Sequence, residues 1–535
     1  MSLSSPFPAS ASGRLSAFFL MSLAMVGGAS AATLSVGPGK TYAAPCAAFA
    51  RAQTGDVIQI DGGKTYSGDV CAIGASNLTI RGVNGRPVID AAGKNAQGKG
   101  TWVIQGNNVT VDNVEMTGAS VPDRNGAALR IEGTNFTLRS SYLRNNENGI
   151  LTGANDNSSI VIENTEFASN GRGDGYTHNV YIGHVGSLTF RYNYSHDANG
   201  GHNLKSRASV NTINYNRFSS STGKPSYEID LPNAGTSYVI GNVIHQPASH
   251  NNPGLLAYGN EGASNPKQDL YVVNNTFLND DSVRGTFVLV GGSVTTPVLL
   301  QNNIFGGTGA ATNQANAIDR TNFRSLVPGF INRLLFDLHP IANVLVINAG
   351  SVPGVSASGV SLTPVAQYKH VASGETRTAA SARDIGAYAA LSSGSTPAPS
   401  AWTTCAAENA TCGFSGTREV RYGAGNSWVV KVFTNSAQCS NAVFGDPIEG
   451  TVKTCSYAAT TSTAPSPAPT TPVTWTTCAA ENGTCAFTGT RDVRYGVPGA
   501  YATKAFTTRT ACTNAVFGDP IEGTVKSCSY SSQAR

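Results

Sequence analysis

One short stretch of the chain concentrates side chains that can do acid–base chemistry. Gly201–Ala208 reads G-H-N-L-K-S-R-A and places His202, Asn203, Lys205 and Arg207 within eight residues. A guanidinium can bind a carboxylate with two parallel hydrogen bonds, and an amine or imidazole can take up or release a proton. This combination suits catalysis on a sugar that carries a carboxylate.

Similar segments precede and follow this stretch. H-N-V-Y-I-G begins at His178, 24 residues before His202, and Y-E-I-D-L-P begins at Tyr227, 25 residues after it. Because side chains alternate along a strand, one set of residues is predicted to point inward and the other outward. The inward set includes Val180, Leu204 and Ile229. The outward set is Asn179, Tyr181, Asn203, Lys205, Arg207, Glu228 and Asp230.

Stacking of the three segments predicts an outward polar patch. Adjacent strands lie about 4.8 Å apart, so Tyr181, Lys205 and Asp230 should form one row. A second row beside it would hold Asn179, Asn203 and Glu228. We therefore expect a small cluster of functional groups in the middle of a larger repeat.

The cluster fits β-elimination on a uronic-acid sugar, which needs a group to neutralise the carboxylate, a base and an acid. Arg207 is predicted to hold the carboxylate, and Lys205, with its pKa lowered by Arg207, to act as base. The proton donor is predicted to be Tyr181 or His202, with His178 close by. The predicted substrate-binding residues are Asn179, Asn203 and Tyr258.

Three acidic residues are candidate ligands of a Ca²⁺ ion that would help to neutralise the substrate. They are Glu228, Asp230 and Asp174, since carboxylate oxygens are the ligands that Ca²⁺ prefers. Without a metal, Glu228 and Asp230 would instead raise the pKa of Lys205. No other cofactor is expected.

Other interpretations of the same residues stay open. The charged row can be a set of salt bridges on a solvated face, and Asn179 and Asn203 can belong to a structural ladder. Glu228, Asp230 and Glu261 also allow a glycoside hydrolase, which uses paired carboxyl groups. A non-catalytic carbohydrate-binding or adhesin protein is the third alternative.

A repeat of between 23 and 33 residues organises the region around the cluster. Short apolar β-type runs recur, and an asparagine follows most of them. The asparagines are Asn113, Asn164, Asn193, Asn216, Asn242, Asn275 and Asn303, with Ser141 in the one vacant position. Such a period without a helical pattern predicts an all-β solenoid, in which stacked amides bond from coil to coil.

Composition narrows the class of protein. The chain has 535 residues, 13% of them charged, 59 glycines and a net charge of +4. This charge is too small over such a length to indicate nucleic-acid binding. Residues 1–31 are predicted to be a signal peptide, with Arg14, an apolar core at Leu15–Val26 and the small residues Ala29–Ala31. A secreted protein without a membrane anchor is therefore expected, and no signal for oligomerisation is evident, so a monomer is predicted.

Ten cysteines predict disulfides in an exported protein. Cys46 and Cys71 are expected to pair near the mature N-terminus. The other eight form two sets with identical spacing, Cys405, Cys412, Cys439 and Cys455, then Cys478, Cys485, Cys512 and Cys528. Their connectivity within each set is left open.

The second half of the chain contains a tandem duplication. Residues 402–457 and 475–530 share W-T-T-C-A-A-E-N and N-A-V-F-G-D-P-I-E-G-T-V-K, and linkers rich in Ser, Thr, Pro and Ala, at 393–401 and 458–474, precede the copies. Residues 32–392 are predicted to be the catalytic solenoid. Each small module is expected to depend on its disulfides, and Trp402, Trp475, Tyr422 and Tyr495 are candidates for sugar stacking or for core packing.

The chain resembles the secreted right-handed parallel β-helix proteins of the pectate-lyase-like superfamily. The resemblance covers roughly residues 33–390, through V-G-P-G-K-T-Y, H-N-V-Y-I-G, G-H-N-L-K-S-R-A, I-D-L-P-N and R-D-I-G-A-Y. It implies a polysaccharide lyase with a Lys or Arg base, often aided by Ca²⁺, acting on a polyuronate. Tyr194–Asp197 is also similar to the D-P-H-D element of mannuronan C5-epimerases but lacks its first Asp and its Pro, which leaves a C5-epimerase as an alternative.

Overall fold

The computed structural model describes residues 31–391 and 402–534, apart from residues 222, 334–335, 342–344, 425–426, 445–447, 449, 459–474, 498–499, 520 and 522. The chain divides into two compact units at residues 392 and 393. Nearly all of the predicted signal peptide and of the two linkers lies outside the described residues.

The first unit is a parallel β-helix, which confirms the predicted fold class. Each coil contributes one strand to each of three sheets, and every pairing within these sheets is parallel. The first sheet contains Thr33–Val36, Val57–Asp61, Thr79–Val83, Val109–Asp112, Phe136–Arg139, Asn155–Glu163, Val185–Arg191, Val210–Asn214, Thr236–Ile240, Leu270–Val273, Leu299–Gln301 and Ile318–Arg320. The second contains Cys71–Ile73, Gly100–Ile104, Ala127–Ile131, Asn148–Thr152, Val180–Ile182, Leu204–Ser206, Ile229–Leu231, Gly254–Tyr258, Thr286–Val290 and Ala310–Thr312. The third contains Thr65–Ser67, Val88–Asp90, Glu115–Thr117, Tyr142–Arg144, Glu166–Ala168, Tyr194–His196, Arg217–Ser219, Val243–Gln246, Thr276–Asn279, Ile304–Gly307 and Phe323–Ser325.

One continuous apolar core runs along the inside of the coils. Val180, Leu204 and Ile229 are fully buried in it, as the alternation predicts. Aromatic rings stack from coil to coil, with Phe190 5.8 Å from Phe218 between ring centroids. Stacking of like residues follows from the parallel register, because equivalent positions of successive coils are direct neighbours.

The asparagine ladder lies inside the solenoid and differs in part from the prediction. The amide of Asn216 donates to Asn242 Oδ1 at 2.9 Å, and Asn242 donates to Asn275 Oδ1 at 3.0 Å. The ladder runs through Ser141, Thr165, Asn193, Asn216, Asn242, Asn275, Asn303 and Asn322.

Asn113 and Asn164 do not belong to that ladder, and the prediction placed them one residue early. Both have left-handed backbones, with φ of 55° and 50°, and occupy the turn just before the ladder position. Asparagine tolerates this conformation because its short side chain bonds locally. In the coil that contains Asn164, the ladder position is the next residue, Thr165, whose hydroxyl takes the place of an asparagine amide.

A short helix, Pro45–Phe49, lies at the N-terminal end, and Cys46 is bonded to Cys71 as predicted. After the last coil the chain forms two antiparallel pairs and a 3₁₀ turn. These are Phe330–Asn332 with Asp337–Pro340, Ala366–Lys369 with Ser373–Thr376, and Ala379–Arg383. Among the described residues, no helix has the length and apolar character needed to cross a membrane.

The second unit contains two modules with the same four-stranded antiparallel sheet and one helical turn. The first comprises Trp402–Ala407, Thr411–Ala424, Ser427–Gln438, Asn441–Phe444 and Thr454–Ala458. The second comprises Trp475–Ala480, Thr484–Val497, Ala500–Ala511, Asn514–Phe517 and Ser527–Ala534. The disulfides are Cys405–Cys412, Cys439–Cys455, Cys478–Cys485 and Cys512–Cys528. Tyr422 and Tyr495 are fully buried, so they are core residues and not sugar platforms.

Candidate active site

The middle of the second sheet brings the predicted polar row together. Tyr181 pairs with Lys205, and Lys205 pairs with Asp230, on three adjacent strands. Leu151 and Ala257 stand at the ends of this row. Parallel pairing makes equivalent positions direct neighbours, so the row has a polar centre and apolar limits.

Lys205 and Arg207 converge on one carboxylate, that of Glu261. Nζ of Lys205 lies 2.7 Å from Glu261 Oε1, and Nη2 of Arg207 lies 2.5 Å from Glu261 Oε2. The same guanidinium donates from Nη1 to Asn233 Oδ1 at 2.6 Å and from Nε to the Tyr181 hydroxyl at 2.9 Å. Two cations and an amide oxygen therefore frame a position that accepts a carboxylate.

Lys205 is cationic in this arrangement. Burial alone would lower the pKa of Lys205, but Asp230, 3.1 Å away, and Glu261 together raise it above its ordinary value. The prediction that Arg207 lowers this pKa is therefore wrong, because the two carboxylates outweigh the guanidinium. Burial raises the pKa of Asp230 to about 6, against the attraction of Lys205.

His178 and His202 lie behind the row as a stacked pair, with ring centroids 4.7 Å apart. The backbone N–H of His202 donates to His178 Nδ1 at 3.0 Å, and that of Tyr227 donates to His202 Nδ1 at 3.0 Å. Each neutral ring consequently carries its proton on Nε2. His202 Nε2 is 3.4 Å from Asp230 Oδ2.

Burial keeps both histidines neutral. It lowers the pKa of His178 to about 3, helped by the charge of Lys205. It also lowers the pKa of His202 well below its ordinary value, with His178 as the next cause. Both residues are at most 6% exposed. The geometry thus favours a positioning role, in which His202 orients Asp230, over direct proton donation to substrate.

The Tyr181 hydroxyl lies beside the guanidinium of Arg207. It accepts the hydrogen bond from Arg207 Nε, and the side chain is half-buried at the surface of the row. The ring centroid is 5.9 Å from Lys205 Nζ and 5.8 Å from Arg207 Cζ. A nearby guanidinium stabilises the phenolate that remains after proton transfer.

Asn179, Asn203 and Glu228 turn inward and not outward as predicted. The Asn179 amide donates to Asn203 Oδ1 at 2.8 Å, and the Asn203 amide donates to Glu228 Oε2. All three are buried, because they lie in the turn just before each strand, where the alternation does not yet hold. They form a second internal ladder with Asn146 and Asn170, and this placement favours a structural role over contact with substrate.

Glu228 is the last member of this second ladder. Burial raises its pKa to about 8, so the carboxyl group is neutral at pH 7. Its Oε1 atom is buried without a hydrogen-bond partner among the described residues. A neutral, inward-facing carboxyl group is a poor ligand for a divalent cation.

The predicted calcium ligands do not come together. Glu228 faces inward and Asp230 outward, while Asp174 accepts hydrogen bonds from Tyr176 N at 3.0 Å and Thr177 Oγ1 at 3.1 Å in an exposed turn. In the part of the chain that the structure describes, no group of three or more His, Cys, Asp or Glu residues could hold a metal ion. These three residues therefore do not fit a Ca²⁺ site.

Tyr258 is likewise misplaced by the prediction. It is fully buried opposite Leu231, and its hydroxyl donates to the Gly235 carbonyl at 2.7 Å. The residue points into the core and has no surface open to a substrate. Alternation along Gly254–Tyr258 explains the orientation, because Leu256 also points inward.

The contacts of Glu261 and Asn233 with the two cations were missed. Glu261 is 54 residues from Arg207 in the chain, so no local spacing reveals the pair. Arg207, Asn233 and Glu261 nevertheless each follow a strand of the second sheet closely. Because parallel strands end at the same edge of a sheet, residues just after them meet, and that rule could have found this cluster.

Comparisons with solved structures find similar chains, each at low sequence identity. No protein-family model matches the chain. The chain is similar to the solved pectate lyase Pel9A, with 16% identity, 64% of this chain and 90% of that one covered, and a TM-score of 0.46. It is also similar to an alginate lyase from Paenibacillus sp. str. FPU-7, with 14% identity, coverage of 55% and 98%, and a TM-score of 0.30. A PL6 alginate lyase in complex with a trisaccharide shows 14% identity, coverage of 56% and 62%, and a TM-score of 0.27.

Proposed function

We propose that this protein is a polysaccharide lyase that cleaves a uronate-containing polysaccharide by β-elimination on the outer face of the second sheet. The observation that carries the proposal is the carboxylate of Glu261, held between Lys205 Nζ and Arg207 Nη2 beside the Tyr181 hydroxyl. It marks a position that is built to hold the carboxylate of a sugar.

Binding of substrate replaces one carboxylate by another. The Glu261 side chain is 46% exposed, so it can leave the two cations without disturbing the core. A uronate carboxylate then accepts the hydrogen bonds of Arg207, and the guanidinium neutralises the negative charge of that carboxylate. Neutralisation makes the C5 hydrogen of the sugar more acidic, which is the requirement for elimination.

The remaining groups move the protons. Departure of Glu261 removes one of the two side-chain carboxylates that raise the pKa of Lys205, so the ammonium group can release a proton to solvent. The neutral amine of Lys205 then takes the C5 proton. The C5 electrons form the C4=C5 double bond as the C4–O bond breaks. Tyr181 gives its proton to the leaving oxygen, and Arg207 stabilises the phenolate until the proton on Lys205 returns to it.

The geometry gives less support to the hydrolase. Glycoside hydrolysis needs two carboxyl groups that face the substrate, one of them protonated. Glu228 faces inward, while Asp230 and Glu261 are both ion-paired with Lys205. Burial raises the pKa of Glu261, but the bonds and charges of Lys205 and Arg207 together lower it below its ordinary value. A C5-epimerase would share the proton abstraction but leave the chain uncleaved.

Export of the protein is part of the proposal. Five disulfides occur among the described residues, and such bonds persist in oxidising compartments. A polysaccharide too large to enter a cell would be met there.

A substrate panel tests the proposed function. Alginate, polygalacturonate and glycosaminoglycans are incubated with the full chain, with chelator or with added Ca²⁺. Ultraviolet absorbance of unsaturated ends and new reducing ends are read together. A lyase produces both in step. Reducing ends without absorbance indicate a hydrolase, altered uronate ratios without cleavage indicate an epimerase, and no change with any substrate contradicts all three.

A further inference from the structure

Each C-terminal module has an arginine whose guanidinium lies between two aromatic rings on the outer face of its sheet. In the first module the guanidinium carbon of Arg421 is 4.8 Å from the Trp402 ring centroid and 4.2 Å from that of Trp428. We call these three residues the first stack. All three side chains are partly exposed.

The second module repeats the arrangement. The guanidinium carbon of Arg494 is 4.7 Å from the ring centroid of Trp475 and 4.3 Å from that of Tyr501. These residues form the second stack. Five residues after Trp428, Phe433 has its counterpart in Phe506, but Val429, Val430 and Val432 are replaced by Ala, Thr and Ala in the second copy. The aromatic character at Trp428 and Tyr501 is kept while their neighbours change.

The stacks lie on the face that does not form the module core. Val420 and Tyr422, on either side of Arg421, are fully buried, so alternation directs Arg421 to the opposite face. Trp428 is paired with Gly423, and Tyr501 with Gly496, which leaves room for each ring beside the arginine. Core packing therefore does not account for these exposed aromatic rings.

No carboxylate partner of the two guanidinium groups occurs among the described residues. Nε of Arg421 and Nε of Arg494 are buried without a hydrogen-bond partner, and neither arginine has an ion pair among the described residues. Burial also lowers the pKa of Arg421. By contrast, Arg418 Nε donates to the Ser415 carbonyl at 3.0 Å. A planar cation held rigidly between two rings presents its free N–H donors to a carboxylate.

We propose that each stack binds a uronate unit of an acidic polysaccharide, with the guanidinium on the carboxylate and the rings against the C–H face of the sugar. Aromatic rings provide that apolar contact, and the unpaired guanidinium selects an acidic sugar over a neutral one. The two copies can then engage one polymer twice and retain it near the solenoid. The choice of a uronate rests in part on the proposed function.

Binding is tested in the full chain carrying Lys205→Ala and Arg207→Ala, which removes turnover and the two cations of the proposed active site. Migration is measured in native gels that contain alginate, polygalacturonate or neutral dextran. An acidic polymer should retard the protein and dextran should not. Arg421→Gln with Arg494→Gln should weaken the binding at least about tenfold, equivalent to about 1.4 kcal/mol.

A matched pair controls for charge. Arg418→Gln with Arg491→Gln removes the same charge from the same strands, but these guanidiniums are bonded to backbone carbonyls, and binding should stay within about twofold. Equal weakening by both pairs, equal retardation by dextran, or no retardation by either acidic polymer overturns the inference. If melting curves show that the Gln pair unfolds, Arg421→Lys with Arg494→Lys is measured in its place. This pair keeps the charge and loses the planar fork, so it should also weaken binding. These readings are independent of whether the wild type produces unsaturated ends.

Discussion

Glu261 Oε2 lies 2.5 Å from Arg207 Nη2, although 54 residues separate the two in the chain. The contact joins a turn that follows Gly254–Tyr258 to the residue that follows Leu204–Ser206. It gives the free protein its own carboxylate at the position that we assign to the carboxylate of the substrate. Substrate must therefore compete with Glu261.

Replacing Glu261 tests that competition. In Glu261→Gln one of the two carboxylates that raise the pKa of Lys205 is gone while Asp230 remains, so this pKa falls and more of the neutral amine exists at a given pH. The ascending limb of kcat/KM against pH should shift to lower pH, since kcat/KM reports the free enzyme. The change should also increase kcat/KM at neutral pH. Glu163→Gln, which breaks a salt bridge to Arg191 on the first sheet, is the control and should leave the profile in place. An unchanged limb in Glu261→Gln would refute the competition.

Arg207→Lys keeps the positive charge and removes the fork that binds Glu261, Asn233 and Tyr181 together. Loss of the carboxylate clamp should lower kcat/KM by about 10²- to 10³-fold, as for loss of a donor that stabilises developing charge. Steady-state kinetics on the best substrate of the panel measure the effect. Arg191→Lys, at an exposed ion pair on the first sheet, should retain wild-type rates. Wild-type activity in Arg207→Lys would remove this residue from the proposed site.

Glu228 makes the stability of the fold decline as the pH rises from about 4.5 to about 8. Its pKa is raised to about 8 in the folded chain by burial, from an ordinary value of 4.5. The contribution of Glu228 to the free energy of unfolding is therefore fully present below pH 4.5 and is lost as the pH rises through 8. Between these values the free energy of unfolding falls by up to about 1.4 kcal/mol per pH unit. Glu228→Gln should flatten this decline in urea unfolding measured between pH 5 and pH 9. A decline of the same slope in the variant would show that another group causes it.

His178 has the opposite dependence. Its pKa is lowered from 6.5 to about 3 by burial, so its contribution is present above pH 6.5 and is lost as the pH falls toward 3. In His178→Asn the stability between pH 7 and pH 4 should decline less steeply than in the wild type. Thermal melting across that range measures the difference. His339, which is partly exposed and bonded to Asp337, provides the control substitution His339→Asn.

The sequence allows much of the fold to be predicted. The parallel β-helix follows from the asparagines that recur with the apolar runs, and the pairing of Tyr181, Lys205 and Asp230 follows from aligning three segments. Alternation failed at Asn179, Asn203 and Glu228, because these residues precede their strands and lie in a turn whose side chains point inward. It was not applied to Tyr258, whose inward orientation it explains.

Long-range contacts determine the features of the site that the sequence did not predict. The charge state of Lys205 depends on Glu261, 56 residues away, and on the depth at which Asp230 is buried. Neither quantity is encoded in local spacing. Asp230 was expected to raise the pKa of Lys205 in the absence of a metal, and it does so together with Glu261, whose contribution no local pattern predicted.

The most direct test of the account follows one polyuronate substrate over time with wild type, Lys205→Ala and Lys224→Ala. Lys224 is a lysine outside the polar row and serves as the matched control. Wild type and Lys224→Ala should produce ultraviolet-absorbing unsaturated ends in step with new reducing ends, while Lys205→Ala should lose at least about 10²-fold in rate. Unsaturated ends formed at the wild-type rate by Lys205→Ala, or cleavage by wild type without any unsaturated ends, would contradict it.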